Sequence, residues 1–93
     1  MEMVSMVAIT LPECKLELHS GWVILEGFVH NGKAILAVQE NKCNPKELIT
    51  IRAYYGEEPF KDTSEYTHSY IAPIMLHGTP RFLFQLVAKS SRH

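Results

Sequence analysis

The sequence has no basic block. Lys and Arg number 9 against 10 acidic residues, a formal net charge of -1. Sequence-independent nucleic-acid binding rests on cations that neutralise phosphates, so that function lacks its footprint here. Cysteine is scarce: Cys14 and Cys43 are the only two, too far apart for a C-x-x-C motif. No apolar run approaches the ~18–20 residues of a membrane-spanning helix. The opening Met1-Glu2-Met3-Val4-Ser5-Met6 has no positive segment and reads against a secretory signal. The expected setting is a reducing cytoplasm, with both cysteines as free thiols.

Catalytic patterns are missing too. There is no G-x-S-x-G elbow, no G-x-G-x-x-G and no phosphate-cradling glycine-rich loop. His19, His30, His68 and His77 match no zinc-ligand spacing. Glu57 and Glu58 are adjacent carboxylates, but Gly56 and Pro59 flank them, so they read as solvated turn charges. Cys43 lies in an Asn-Pro loop with no helix N-terminus to lower its pKa. The expectation is a non-enzymatic protein with no catalytic residues, no metal and no cofactor.

Glycine and proline number 5 each and are spread evenly, which leaves no room for a long helix. What is present is globular in character: 46% hydrophobic and 20% charged residues. The 93 residues read as one domain over 1–93. A chain this short buries roughly 60–65% of its unfolded surface, a thin margin that favours a homo-oligomer.

The strongest local signal is a hairpin. Trp22 to His30 and Lys33 to Glu40 are β-rich runs joined by Asn31-Gly32, the preferred type I′ turn. That turn sets His30 opposite Lys33, Phe28 opposite Ile35, Gly27 opposite Leu36 and Leu25 opposite Val38. One face then carries Val23, Leu25, Gly27, Val29, Ala34, Leu36 and Val38 as core. The other is mixed, with Phe28 and Ile35 an apolar pair among polar neighbours. These two are the candidate interface residues, for a partner subunit or a second sheet. Gly27 marks a bulge or a close backbone approach.

Glu47 to Tyr55 reads as a further strand with Ile49, Ile51, Ala53 and Tyr55 facing the core. Residues 60–65 read as a loop with at most one short helical turn. Tyr66 to Leu76 and Arg81 to Lys89 read as a second hairpin across His77-Gly78-Thr79-Pro80, with Pro73 marking an edge or a bend. Met3 to His19 adds one or two strands. The fold class is all-β, a small antiparallel barrel or sandwich of five to seven strands.

Strand ends and loops collect binding groups. Arg52 and Tyr54 end one strand, Lys61 follows the break at Gly56–Pro59, and Thr79 and Arg81 follow the second turn. His68 and Tyr70 share a face with Tyr66. Arg forks bind phosphate and Tyr rings stack on bases. Arg52, Tyr54, Lys61, His68, Tyr70, Thr79 and Arg81 are therefore the candidate residues for a small anionic, nucleotide-like ligand.

One longer pattern joins these runs. It comprises Val23-Ile24-Leu25, His30-Asn31-Gly32-Lys33 and Ile35-Leu36-Ala37-Val38. It continues with Asn44-Pro45, Thr50-Ile51-Arg52, Gly56, Tyr70-Ile71-Ala72 and Phe82-Leu83-Phe84-Gln85-Leu86-Val87. This resembles a family of small uncharacterised β-domain proteins encoded by tailed bacteriophages and prophages, over roughly residues 22–88. The chain departs from it with Gln85 in place of a terminal-strand His, and with Glu57 in place of a His after Gly56. The resemblance implies a phage protein in the host bacterial cytoplasm and no particular activity. The expected function is an accessory, anti-defence protein that sequesters a nucleotide signal as a homo-oligomer. The alternative is a protein-binding inhibitor or virion accessory module acting on a host or phage protein. No membrane or sequence-specific nucleic-acid partner is expected.

Overall fold

The computed structural model describes residues 2–89; Met1 and residues 90–93, included in the domain expected over 1–93, lie outside the described residues. Seven strands form: β1 Glu2–Ile9, β2 Glu13–His19, β3 Val23–His30, β4 Lys33–Asn41, β5 Lys46–Tyr54, β6 Tyr66–Leu76 and β7 Thr79–Ala88. They make two antiparallel sheets, β1-β4-β3 and β2-β5-β7-β6. This is a sandwich rather than a closed barrel, so the all-β expectation holds in its sandwich form.

Period-2 alternation builds the core. Leu16 and Leu18 on β2, Ile49, Ile51 and Ala53 on β5, Leu83 on β7 and Ile74 on β6 face Ile9, Ala34, Leu36 and Val38 of the other sheet. Each fully buried aliphatic side chain contributes about 1.5–3 kcal/mol relative to exposure. The described residues contain no helix long and apolar enough to cross a membrane. Residues 62–65 form only a single turn, closed by Tyr66 N–H donating to the Asp62 carbonyl at 3.0 Å.

The first short hairpin takes the expected form, and the second has a tighter turn than the four residues expected, with β7 beginning at Thr79 instead of Arg81. Asn31 and Gly32 have φ of 52° and 76°, and His77 and Gly78 have 51° and 76°. Positive φ at both central residues is the type I′ requirement. The first hairpin keeps the predicted register from His30↔Lys33 to Glu26↔Ala37 and then breaks. Leu25 is bulged out, so Ile24, not Leu25, pairs with Val38. That one extra residue turns Val23 and Leu25 to solvent and Ile24 to the core, contrary to the face assignment from the sequence.

A close contact between the sheets lies two residues from the bulge. At Gly27 the backbone of β3 meets β6 of the other sheet: a Cβ there would lie 3.4 Å from the Pro73 carbonyl oxygen and 3.3 Å from Leu36 Cδ2. Gly27 thus marks the close approach, and the bulge falls two residues earlier, at Leu25. β6 is itself an edge strand, bulged at Ile71 and carrying Pro73, as the proline implied.

The opposite end of the sandwich holds the one buried charged residue among those described, Glu40. Its Oε1 accepts the His19 backbone N–H at 2.7 Å, and Lys42 Nζ lies 3.8 Å from Oε2. Burial raises the Glu40 carboxyl, but the His19 N–H, the Ser5 hydroxyl and the Lys42 and His19 charges outweigh it and hold the group below 4.5.

Gly27→Val forces β3 away from β6 and Leu36. We expect a loss of about 1–3 kcal/mol in unfolding free energy, read from urea titration. An unchanged midpoint would show that this approach does not constrain the sheets.

Candidate functional site

β5 and β6 run parallel with β7 between them. The chain must therefore return along the outer face of the four-stranded sheet, and residues 55–65 make that crossing. Phe60 is the side chain that seats it. Its ring stacks on His68 at 4.3 Å between centroids and 4° between planes, and meets Phe84 edge-on at 4.9 Å. Tyr70 lies edge-on to Phe84 at 5.4 Å.

Tyr54 lies under this cover. It is 2% exposed although it sits on the outer face, whereas Tyr55, read from the sequence as core, is 53% exposed beyond the last ladder pair. The alternation was right, but the crossing buries the wrong-face tyrosine. The Tyr54 hydroxyl accepts the Lys61 backbone N–H at 3.1 Å and Arg52 Nη1 at 3.4 Å. With both lone pairs engaged, its own proton goes to His68 Nε2 at 2.8 Å. His68 is then neutral with its proton on Nδ1. Burial, followed by the nearby Arg52 charge, lowers the His68 pKa, and Asp62 opposes this only partly.

Arg52 is saturated. Its Nε donates to Glu13 Oε1 at 2.7 Å, Nη2 reaches the same oxygen, and Nη2 also lies 3.2 Å from Asp62 Oδ2. Burial works against its charge, but Tyr54, Glu13 and Asp62 hold the guanidinium more firmly protonated than usual. A ligand phosphate at Arg52 would have to displace two carboxylates. No buried side-chain nitrogen or oxygen among the described residues lacks a partner.

The seven candidate residues thus fall into two groups. Arg52, Tyr54, His68 and Tyr70 form the outer-face cluster. Thr79 and Arg81 lie at the start of β7, at the end of the sandwich where both hairpin turns, the β1–β2 connection and the start of the crossing meet. Lys61 joins the groups: its backbone serves Tyr54, while the residue lines grooves on both sides.

At this hairpin end a groove of about 360 Å³ is lined by Leu11, Ala53, Tyr55, Glu58, Lys61 and Arg81 among others. It adjoins one of about 500 Å³, reached past Leu11 and Leu76, that includes Lys33 and His77. Arg81 is pre-positioned: its Cζ lies 4.0 Å from the Tyr55 ring centroid, Nη2 donates to Tyr55 Oη at 2.8 Å and Nη1 to the Thr79 carbonyl at 3.1 Å. Glu58 Oε1 accepts the Tyr55 backbone N–H at 2.8 Å. Among the described residues Lys61 and Arg81 have no carboxylate within ion-pair distance, in contrast to Arg52.

Sequence reasoning missed Tyr55, Phe60, Glu13 and Asp62. Phe60 alone carried a signal, as an isolated aromatic after Pro59 in a polar stretch. Phe28 and Ile35 pair as expected on the outer face of β1-β4-β3, both half-buried. The N-terminal strand lies beside β4 in that sheet and does not cover them. Cys14 and Cys43 are not joined in a disulfide, and no group of three His, Cys, Asp or Glu among the described residues could hold a metal ion. No family model, curated protein or solved structure matches the chain.

The lowered pKa of His68 carries a sign. Its contribution to stability is complete above the ordinary value of 6.5 and is lost as pH falls through the lower folded value. The urea midpoint should therefore drop as pH falls below 6.5, and His68→Gln should flatten that part of the profile. Glu40 acts in a separate window below 4.5. A midpoint indifferent to His68→Gln across the upper window would contradict the neutral assignment.

Proposed function

We propose that the chain is a non-enzymatic binding protein that takes a small anionic, nucleotide-like ligand at the hairpin end of the sandwich. The observation that carries this reading is the pair Lys61 and Arg81. They are two cations free of carboxylate partners among the described residues, in one groove with an exposed tyrosine. Fixed guanidinium donors suit phosphate oxygens, and Arg81 loses little freedom on binding because Tyr55 and Thr79 already hold it. Leu11 and Leu76 offer apolar surface for a base or ribose between the two grooves. The combined space suits a nucleotide with more than one phosphate, of the cyclic or ADP-ribose type. In this reading Arg52, Tyr54, His68 and Tyr70 support the crossing that presents Lys61, and they do not touch the ligand.

The biological setting proposed is sequestration of such a signal by a phage accessory protein in the host cytoplasm. It rests on the resemblance over residues 22–88. A second reading, a protein-binding inhibitor or virion accessory module, draws on the outer face of β1-β4-β3. There exposed Met6 pairs with Ala37, one row from Ile35, and exposed Val4 and Val23 flank Gln39 a further row along.

Calorimetric titration with cyclic di- and trinucleotides and ADP-ribose tests the first reading. We expect binding by at least one of them, weakened about 10–100-fold by Arg81→Ala or Lys61→Ala. Lys15→Ala, on the far edge strand, should leave it unchanged. No heat with any ligand, or equal affinity in all variants, would refute the groove as the site.

A further inference from the structure

The two sheets have four edge strands, and three of them are protected. β3 is bulged at Leu25 and lies against β6 at Gly27. β6 carries Pro73 and its own bulge at Ile71. β2 presents Glu13, Lys15 and Glu17. Charges, prolines and bulges are the usual means of blocking an open edge. β1 has none of them after its first residue. It pairs with β4 in unbroken register from Glu2↔Asn41 to Ile9↔Ala34, and past Glu2 it reads Met-Val-Ser-Met-Val-Ala-Ile.

That composition belongs to a strand buried on both faces, where apolar residues run nearly continuously. β1 is instead open on both faces along its first half. Met3 is 41% exposed on the side facing the core, and Val4 and Met6 are 52% and 66% exposed on the other. The strand therefore lacks cover on two faces and a hydrogen-bonding partner along one edge.

We propose that β1 is where two copies of this chain join, pairing antiparallel along their free edges into one continuous six-stranded sheet. The distribution of charge selects a second copy. Directly opposed residues in an antiparallel pair must share a face. A two-fold pairing thus sets Val4, Met6 and Ala8 against the same set, and Met3, Ser5 and Val7 against theirs. Glu2, the only ionised side chain of the strand, lies at opposite ends of the two strands. Parallel pairing would bring the two Glu2 side chains together. The two-fold contact is also closed, so it removes the open edge instead of propagating it. The end of the strand at Ala8 and Ile9 lines the larger of the two grooves, but the pairing is argued from the open edge and does not depend on the ligand reading.

Sedimentation of the full chain over a range of concentrations tests this directly. We expect a reversible dimer. Met6→Lys or Val4→Lys should raise its dissociation constant at least about 100-fold, because each copy loses apolar contact and gains a charge. Both side chains are exposed in the protomer, so its circular dichroism should stay unchanged. Phe28→Gln, on the far strand of the same sheet, should leave the dimer intact. Amide exchange along β1 should slow in concentrated wild-type protein, a readout that needs no variant. A wild-type monomer at every concentration, β1 exchange independent of concentration, or a dimer broken by Phe28→Gln but not by Met6→Lys would overturn the proposal.

Discussion

The parallel relation of β5 and β6, with β7 between them, constrains this molecule more than any other feature. It obliges eleven residues, 55–65, to travel back over a sheet face that would otherwise be wet. Such a crossing is normally made by a helix; here Pro59 and the polar run after it leave only a loop. A loop on a sheet needs anchors, and three are visible. Phe60 stacks on His68, Asp62 pairs with Arg52, and the Tyr54 hydroxyl accepts the Lys61 N–H. The Tyr54 oxygen is the common point, since it also binds Arg52 and His68. Removing it leaves the half-buried Lys61 N–H without this partner, at a cost of about 1 kcal/mol.

The same geometry sorts the cations. Arg52 serves the crossing: two carboxylates and a phenol occupy it, so its charge is neutralised within the fold. Lys61 and Arg81 meet at the end of the sandwich, where the crossing begins and β7 starts, and their charges stay available. The overall balance of nearly equal acids and bases hides this division. A chain of net charge -1 can still hold two cations without carboxylate ion pairs in one groove, even though Glu58, whose Oε1 accepts the Tyr55 N–H, also lines it. Structure and proposed function are linked at Lys61, whose backbone closes the crossing and whose side chain belongs to the groove.

Much of the fold could be read from local rules. Asn31-Gly32 gave a hairpin and most of its register, because type I′ chemistry is decided by the two residues themselves. Pro73 marked an edge or a bend, and β6 is an edge strand; Ile49, Ile51 and Ala53, read as core, are buried in it. The errors arose where distant contacts decide. The Leu25 bulge breaks a register that the turn chemistry alone would have continued. The exchange of roles between Tyr54 and Tyr55 depends on Phe60 folding back, which alternation cannot anticipate. Arg52 and Tyr54 lie near the end of β5, and Thr79 and Arg81 at the start of β7. Their partition into a saturated cluster and an open groove required knowing that Glu13 and Asp62 reach Arg52, and that Arg81 reaches Tyr55.

The central claim is that anions bind at Lys61 and Arg81 and not at Arg52. Amide chemical-shift mapping during titration with inorganic pyrophosphate tests it most directly, because pyrophosphate isolates the phosphate chemistry from base and sugar. The account predicts saturable shifts centred on Leu11, Tyr55, Lys61 and Arg81, fading as salt rises. It predicts little change at Glu13 and Thr50, beside Arg52. Shifts centred on Arg52 and Asp62, or none that saturate, would contradict it.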